Sequence, residues 1–183
     1  MNDDVKTIPD LKEAITYSYE SVLEWIQKQD DTDFLRRVEK KWSTGRQLDH
    51  LIKSVIPLNN ALRLPKFLLR LMFGKPSNRE RTYSELVTAY QYVLEQGGEA
   101  SGRYIPDQTI QSDKKDLLSR YQAEKRKLIN NLDLWNEQSL SSYRLPHPLL
   151  GKITVREMLF FTIYHNLHHL NTIKSINRSD DEA

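Results

Sequence analysis

Apolar side chains recur at helical spacing through most of the chain. From about Pro9 to Gln29, Leu11, Ile15, Val22 and Ile26 keep that period with Tyr19 among them. This predicts a helix capped by Thr7, with Pro9 in its first turn. The stretch Asp30 to Lys41 is charged and weakly periodic, so it reads as a connection with room for a short turn of helix. A second helix starts at the cap residue Ser43 and carries the stripe Leu48, Leu51, Ile52, Val55 and Leu58. Pro57 predicts a kink in it, and Pro65 its end. A short apolar helix then precedes the break Gly74-Lys75-Pro76, and a further one covers Ser84 to Gln96, ended by Gly97-Gly98. Residues 99–112 read as a loop. A third long helix is expected over Asp113 to Glu137, with Leu117, Tyr121, Leu128, Leu132 and Trp135 on one face. After a linker from Ser139 to Gly151, Thr154 and Glu157 have the spacing of a capping box and Ile153 that of a staple. They open a last helix to about Ile176, with the tail 179–183 frayed.

Four long helices, few strand signals and no repeat predict an all-α protein. The expected architecture is a single four-helix-bundle domain over residues 1–183, with extra short helices between the second and third long ones. Composition narrows the function. The absence of cysteine removes disulfides, thiolate metal sites and a cysteine nucleophile together. No apolar run is long enough to span a bilayer, and the acidic N-terminus lacks a signal core, which points to the cytoplasm. A net charge of +2 is too balanced to argue for nucleic acid, so no nucleic-acid partner is expected. Charge is uneven locally: from Arg63 to Arg81 six basic residues meet one acid, Glu80, among Phe67, Leu68, Leu69, Leu71, Met72 and Phe73. That segment reads as a capping helix with a solvated basic edge, a mouth for an anionic cosubstrate, or a membrane-surface helix.

The histidines carry the chemistry. His165, His168 and His169 lie within five residues on the last helix. Residues four apart share a helix face, so His165 and His169 can aim two imidazoles at one point, and His168 can replace His169 on geometry alone. Asn166 stands where the H-E-x-x-H motif has its general base, so this is not a zincin. A catalytic zinc usually takes three protein ligands, and two further histidines are available. His50 sits beside Leu51 on the second helix and His147 lies in a Pro-bounded loop. Ligation by nitrogen alone suits zinc or nickel, with iron or copper also open. The bland alternative is a metal-free or structurally metallated bundle that serves as a stress or interaction protein.

Two blocks bear on the choice among these. Trp42-Ser43 followed by His50-Leu51 resembles the start of the second helix in the DinB/YfiT-like superfamily. Pro146-His147-Pro148 through Gly151 and Thr154, and then His165-Asn166-Leu167-His168-His169, resembles that family's approach to its last helix. The resemblance implies a bacterial, cytoplasmic four-helix bundle with a divalent metal on three histidines, here His50, His165 and His169. His168 is then not a ligand. It further implies a small-molecule cosubstrate, with transfer of a low-molecular-weight thiol or hydrolysis as the reaction, and it is compatible with a homodimer. Asn166 and Thr172 depart from the Asp and Gln frequent in the family. For proton handling, Tyr17, Tyr19, Glu20 and Glu24 of the first helix are candidates by position only, and the catalytic residues stay unknown.

Overall fold

The computed structural model describes all residues except 1, 2, 4, 6, 37–40, 77, 78, 109, 111, 112 and 179–183, and only the backbone of 177 and 178. The tail expected to fray therefore lies outside the described residues. The described residues form eight α-helices and one hairpin, in the order α1 (Ile8–Gln27), α2 (Asp31–Leu35), α3 (Thr44–Leu62), α4 (Lys66–Phe73), α5 (Tyr83–Glu95), α6 (Lys114–Asn131), α7 (Glu137–Ser142), β1 (Arg144–His147), β2 (Gly151–Thr154) and α8 (Val155–Arg178). A 3-10 turn, Gly102–Tyr104, lies between α5 and α6, and another, Leu132–Leu134, follows α6.

The four long helices α1, α3, α6 and α8 make the bundle. α1 packs chiefly on α8 and α3 chiefly on α6, with α1–α6 and α3–α8 contacts closing the ring. The stripes read from the sequence face inward: Leu11, Ile15, Val22 and Ile26 of α1 are fully buried, as is Leu48 of α3. Burying a side chain of this size contributes about 1.5–3 kcal/mol, so the stripes determine which faces meet. Caps fix the helix starts. Thr7 and Asp10 form a capping box on α1, Ser43 caps α3, and Thr154 and Glu157 close the box on α8 at 2.7 and 3.1 Å. Glu157 is buried, and its second oxygen is held by Arg81 at 2.7 Å, so the start of α8 is tied to the segment before α5.

α3 contains Pro57 and ends at Leu62, ahead of Pro65. Two elements differ from expectation. The third long helix ends at Asn131, where the chain tightens into the turn Leu132–Leu134; Trp135 is still buried, but it is held by its own indole N–H donating to the carbonyl of Leu62 at 3.0 Å. The expected linker contains an antiparallel hairpin with Leu145 opposite Ile153 and His147 opposite Gly151. Both apolar partners are buried, and Gly151 takes φ +70, a conformation open to glycine at little cost. The hairpin brings the chain onto α8 just before the helix that carries three of the histidines.

Candidate metal centre

α3 and α8 place His50, His165 and His169 together, and all three are buried. His165 Nε2 lies 3.1 Å from His50 Nε2 and 2.9 Å from His169 Nε2. The opposite ring nitrogens are already committed. His50 Nδ1–H donates to the carbonyl of Tyr104 at 2.6 Å, and His169 Nδ1–H donates to Gln47 Oε1. With the N–H on Nδ1 in both rings, the Nε2 atoms of neutral His50 and His169 both present lone pairs. At most one proton, on His165, is then available among three convergent nitrogens. Extra protons are opposed as well: burial, with the neighbouring histidines adding to it, pushes His165 and His169 well below the usual imidazole range. Burial lowers His50 too, against the Tyr104 carbonyl and the Asp49 carboxylate, which pull it up. The two separations from His165, 2.9 and 3.1 Å, are within the reach of donors that share a cation bound at ~2.0–2.1 Å. The donor set therefore fits a divalent transition metal.

The local sequence explains why the rings are held. Ser43 starts α3, so Gln47 and His50, three apart, share one face of the helix. Gln47 Nε2–H donates back to the Trp42 carbonyl at 3.4 Å, which turns its Oε1 to His169. The Trp42 ring sits 5.1 Å from the His50 ring, under the Arg46 guanidinium. The loop that offers the Tyr104 carbonyl is tied to α3 by charge. Lys53 pairs with Asp49 at 2.9 Å and Asp107 at 2.7 Å, and the Asp107 N–H donates to the Asp49 carboxylate at 3.0 Å. Hydrogen bonds from the outer nitrogen fix ring orientation and tautomer in metal sites. Gln47, Asp49, Lys53 and the Tyr104 carbonyl are functional neighbours that sequence reasoning missed. The only signal was the i, i+3 placement of Gln47 and His50.

The remaining candidates separate cleanly. His168 is half-buried, with its ring 5.3 Å from that of His169, and it is not one of the converging group. His147 ends β1 and is 5% exposed, so its expected place in a Pro-bounded loop is corrected to a buried strand end. Its Nδ1 accepts the N–H of Leu149 at 3.1 Å and of Leu150 at 3.0 Å, which leaves the proton on Nε2. That N–H has no hydrogen-bond partner, and the ring stands at a steep angle to that of Phe161, with centroids 4.2 Å apart. Asn166 accepts from Tyr121 Oη at 2.9 Å and donates to Ser18 at 3.2 Å, so it works in the α1–α6–α8 core. Thr172 donates to the His168 carbonyl. Of the first-helix candidates, Tyr19 is buried and stacks on Tyr121, Glu20 pairs with Lys125, and Tyr17 and Glu24 are exposed. The basic segment is partly engaged: Lys66 lies over Trp135, Arg70 over Tyr143, and Arg79 and Arg81 pair with Glu85 and Glu157.

A cavity of about 350 Å³ opens beside the histidines. His50 and His165 form part of its wall, with Leu58, Leu145, Met158 and Phe161 supplying apolar surface and Arg103 a cation. That volume suits a small molecule.

No curated protein matches the chain. Solved structures do. A DinB-like protein from Bacillus cereus aligns over 96% of this chain and 93% of its own, with a TM-score of 0.58 at 16% identity. The colibactin self-resistance protein ClbS, solved in complex with double-stranded DNA, aligns over 94% of this chain and 96% of its own, with a TM-score of 0.55 at 13% identity. These superpositions show a shared helical fold and, at such identities, the fold alone; the DNA bound to ClbS bears on the expectation that this chain has no nucleic-acid partner. Among the described residues no helix is long and apolar enough to cross a membrane. The DinB superfamily pattern matches residues 14–173, a span that contains both sequence blocks and all three converging histidines, and the chain belongs to the DinB superfamily.

Proposed function

We propose that this protein is a metal-dependent enzyme acting on a small molecule, with His50, His165 and His169 as the ligands of zinc or nickel. The observation that carries the reading is the convergence of three Nε2 atoms at the wall of an apolar cavity, with the outer nitrogens of His50 and His169 held by oxygen acceptors. A divalent cation there supplies Lewis acidity and an exchangeable position for a thiolate or a water. The chain's own residues do the rest. Gln47 and the Tyr104 carbonyl hold two imidazoles in the tautomer that ligates. Leu58, Leu145, Met158 and Phe161 receive the apolar part of a substrate and exclude water, and Arg103 offers a cation to an acidic group. Transfer of a low-molecular-weight thiol to an electrophile suits this arrangement best, with hydrolysis as the second reaction open to it.

The test is spectroscopic. Cobalt-loaded protein is titrated with mercaptoethanol and with butanethiol. A thiolate-to-cobalt charge-transfer band in the wild type, absent from His165→Ala, is the expected result. Stoichiometric cobalt with no such band and no exchangeable ligand assigns the metal a structural role and overturns the reading.

A further inference from the structure

The short helix α4 turns an apolar face to solvent. Phe67 and Leu71, four residues apart on one side of it, are 69% and 80% exposed, and Met72 is 57% exposed. Only Leu69 is fully buried, so one residue anchors the helix while its bulkiest neighbours stand free. Scattered exposed apolar residues are ordinary, but three large ones on two turns of one helix mark an interaction surface. Charge identifies the partner. From Arg63 to Pro76 the chain has Arg63, Lys66, Arg70 and Lys75 and no acidic residue. Lys66 and Arg70 lean back over the Trp135 and Tyr143 rings. Arg63 and Lys75 are exposed and make no ion pair among the described residues. A second copy is a poor occupant: a symmetric contact would set this face against itself, like charge against like, with no acid in the segment to relieve it. Aromatic and aliphatic tips on a segment that carries cations and no acid instead have the chemistry of an interfacial helix, whose apolar side enters the boundary between headgroups and acyl chains.

We propose that α4 docks the protein peripherally on anionic phospholipid, with Phe67, Leu71 and Met72 inserted and Arg63 and Lys75 on the headgroups. The surface continues into the cavity beside the histidines, because Leu64 and Phe73, which flank the exposed tips in sequence, line that cavity. A docked molecule therefore holds its apolar cavity close to the lipid boundary.

Co-sedimentation with vesicles tests this, using phosphatidylcholine containing one third phosphatidylserine, or phosphatidylcholine alone, as probes. Wild-type protein should bind the anionic vesicles, and at least about tenfold more weakly when the serine lipid is omitted or salt is raised. The double variant Phe67→Ser, Leu71→Ser should lose more than about tenfold, and Arg63→Ala, Lys75→Ala about tenfold. All of these side chains are exposed, so helicity and metal content should stay at wild-type levels, which separates failure here from failure of the metal site. Absence of binding to the anionic vesicles overturns the proposal, and so does equal binding by Phe67→Ser, Leu71→Ser. Self-association abolished by that variant without vesicle binding also overturns it, and assigns the face to a second copy.

Discussion

His147 and the cluster of His50, His165 and His169 are two buried histidine environments that share one aromatic neighbour. Phe161 lies 4.2 Å from the His147 ring and 4.7 Å from that of His165. They use opposite nitrogens. At His50 and His169 the outer N–H donates a hydrogen bond to an oxygen, and the inner nitrogen is left with a lone pair directed at its neighbours. At His147 one nitrogen accepts two backbone N–H groups and the other keeps its proton with no hydrogen-bond partner. Burial and residue type are the same in both places, so neither distinguishes a ligand from a structural histidine. The partner of the second nitrogen does.

The comparison breaks most sharply at the ligands. Replacing His50, His165 or His169 by Ala should lower zinc affinity by more than about 100-fold, beyond what loss of a supporting group costs. Competition titrations with a zinc chelator measure this, and a variant within tenfold of wild type would remove that histidine from the site. Next come the oxygen acceptors: Gln47→Ala, and Asp49→Asn acting through the Asp107 loop, should each cost roughly 10–100-fold in the same titration while leaving the site intact.

His147→Ala should do the reverse. Zinc affinity should stay within about threefold, below the range for groups that support a ligand. Stability should fall by about 2–3 kcal/mol, because two turn amides lose their acceptor and a ring-sized space opens beside Phe161. Urea unfolding of the metal-free protein reads that difference. The same histidine also predicts a pH dependence. Burial, with the nearby Arg81 charge adding to it, pushes His147 down to about 4. Its pKa is lower folded than unfolded, so the unfolded chain takes up the proton first. The stability of the neutral form is complete above about pH 6.5 and is lost as pH falls toward 4. Urea midpoints of metal-free wild type should drop across that window, and less steeply in His147→Ala. Parallel slopes would move the effect to other groups.

The bundle was legible because its stripes and caps are local. Leu11 to Ile26, Ser43 with the α3 stripe, and Thr154 with Glu157 each announce an element within a few residues. The hairpin was not, since its four-residue strands, one of them containing Pro146, carry too little alternation to register. The break after Asn131 was hidden for a different reason: Leu132 and Trp135 continue the helical spacing and are buried, yet they reach the core from a 3-10 turn and from an indole bonded across to Leu62. At the site, the pairing of His165 with His169 follows from spacing, whereas the choice of His50 over His147 came from resemblance. Three-dimensional packing supplies the physical ground for it, because α3 faces α8 and the hairpin's own amides occupy His147. The hold on His50 was invisible, being a backbone carbonyl on a distant loop fixed by Asp49, Lys53 and Asp107.

The central claim is that three imidazoles from two helices hold one divalent cation. Calorimetric titration of metal-free protein with zinc, wild type beside His50→Ala, tests it most directly, since His50 is the only member of the group outside α8. The account predicts one tight site per chain in the wild type and its loss in a variant that keeps its helical circular dichroism. Equal zinc binding by a folded His50→Ala protein would contradict it.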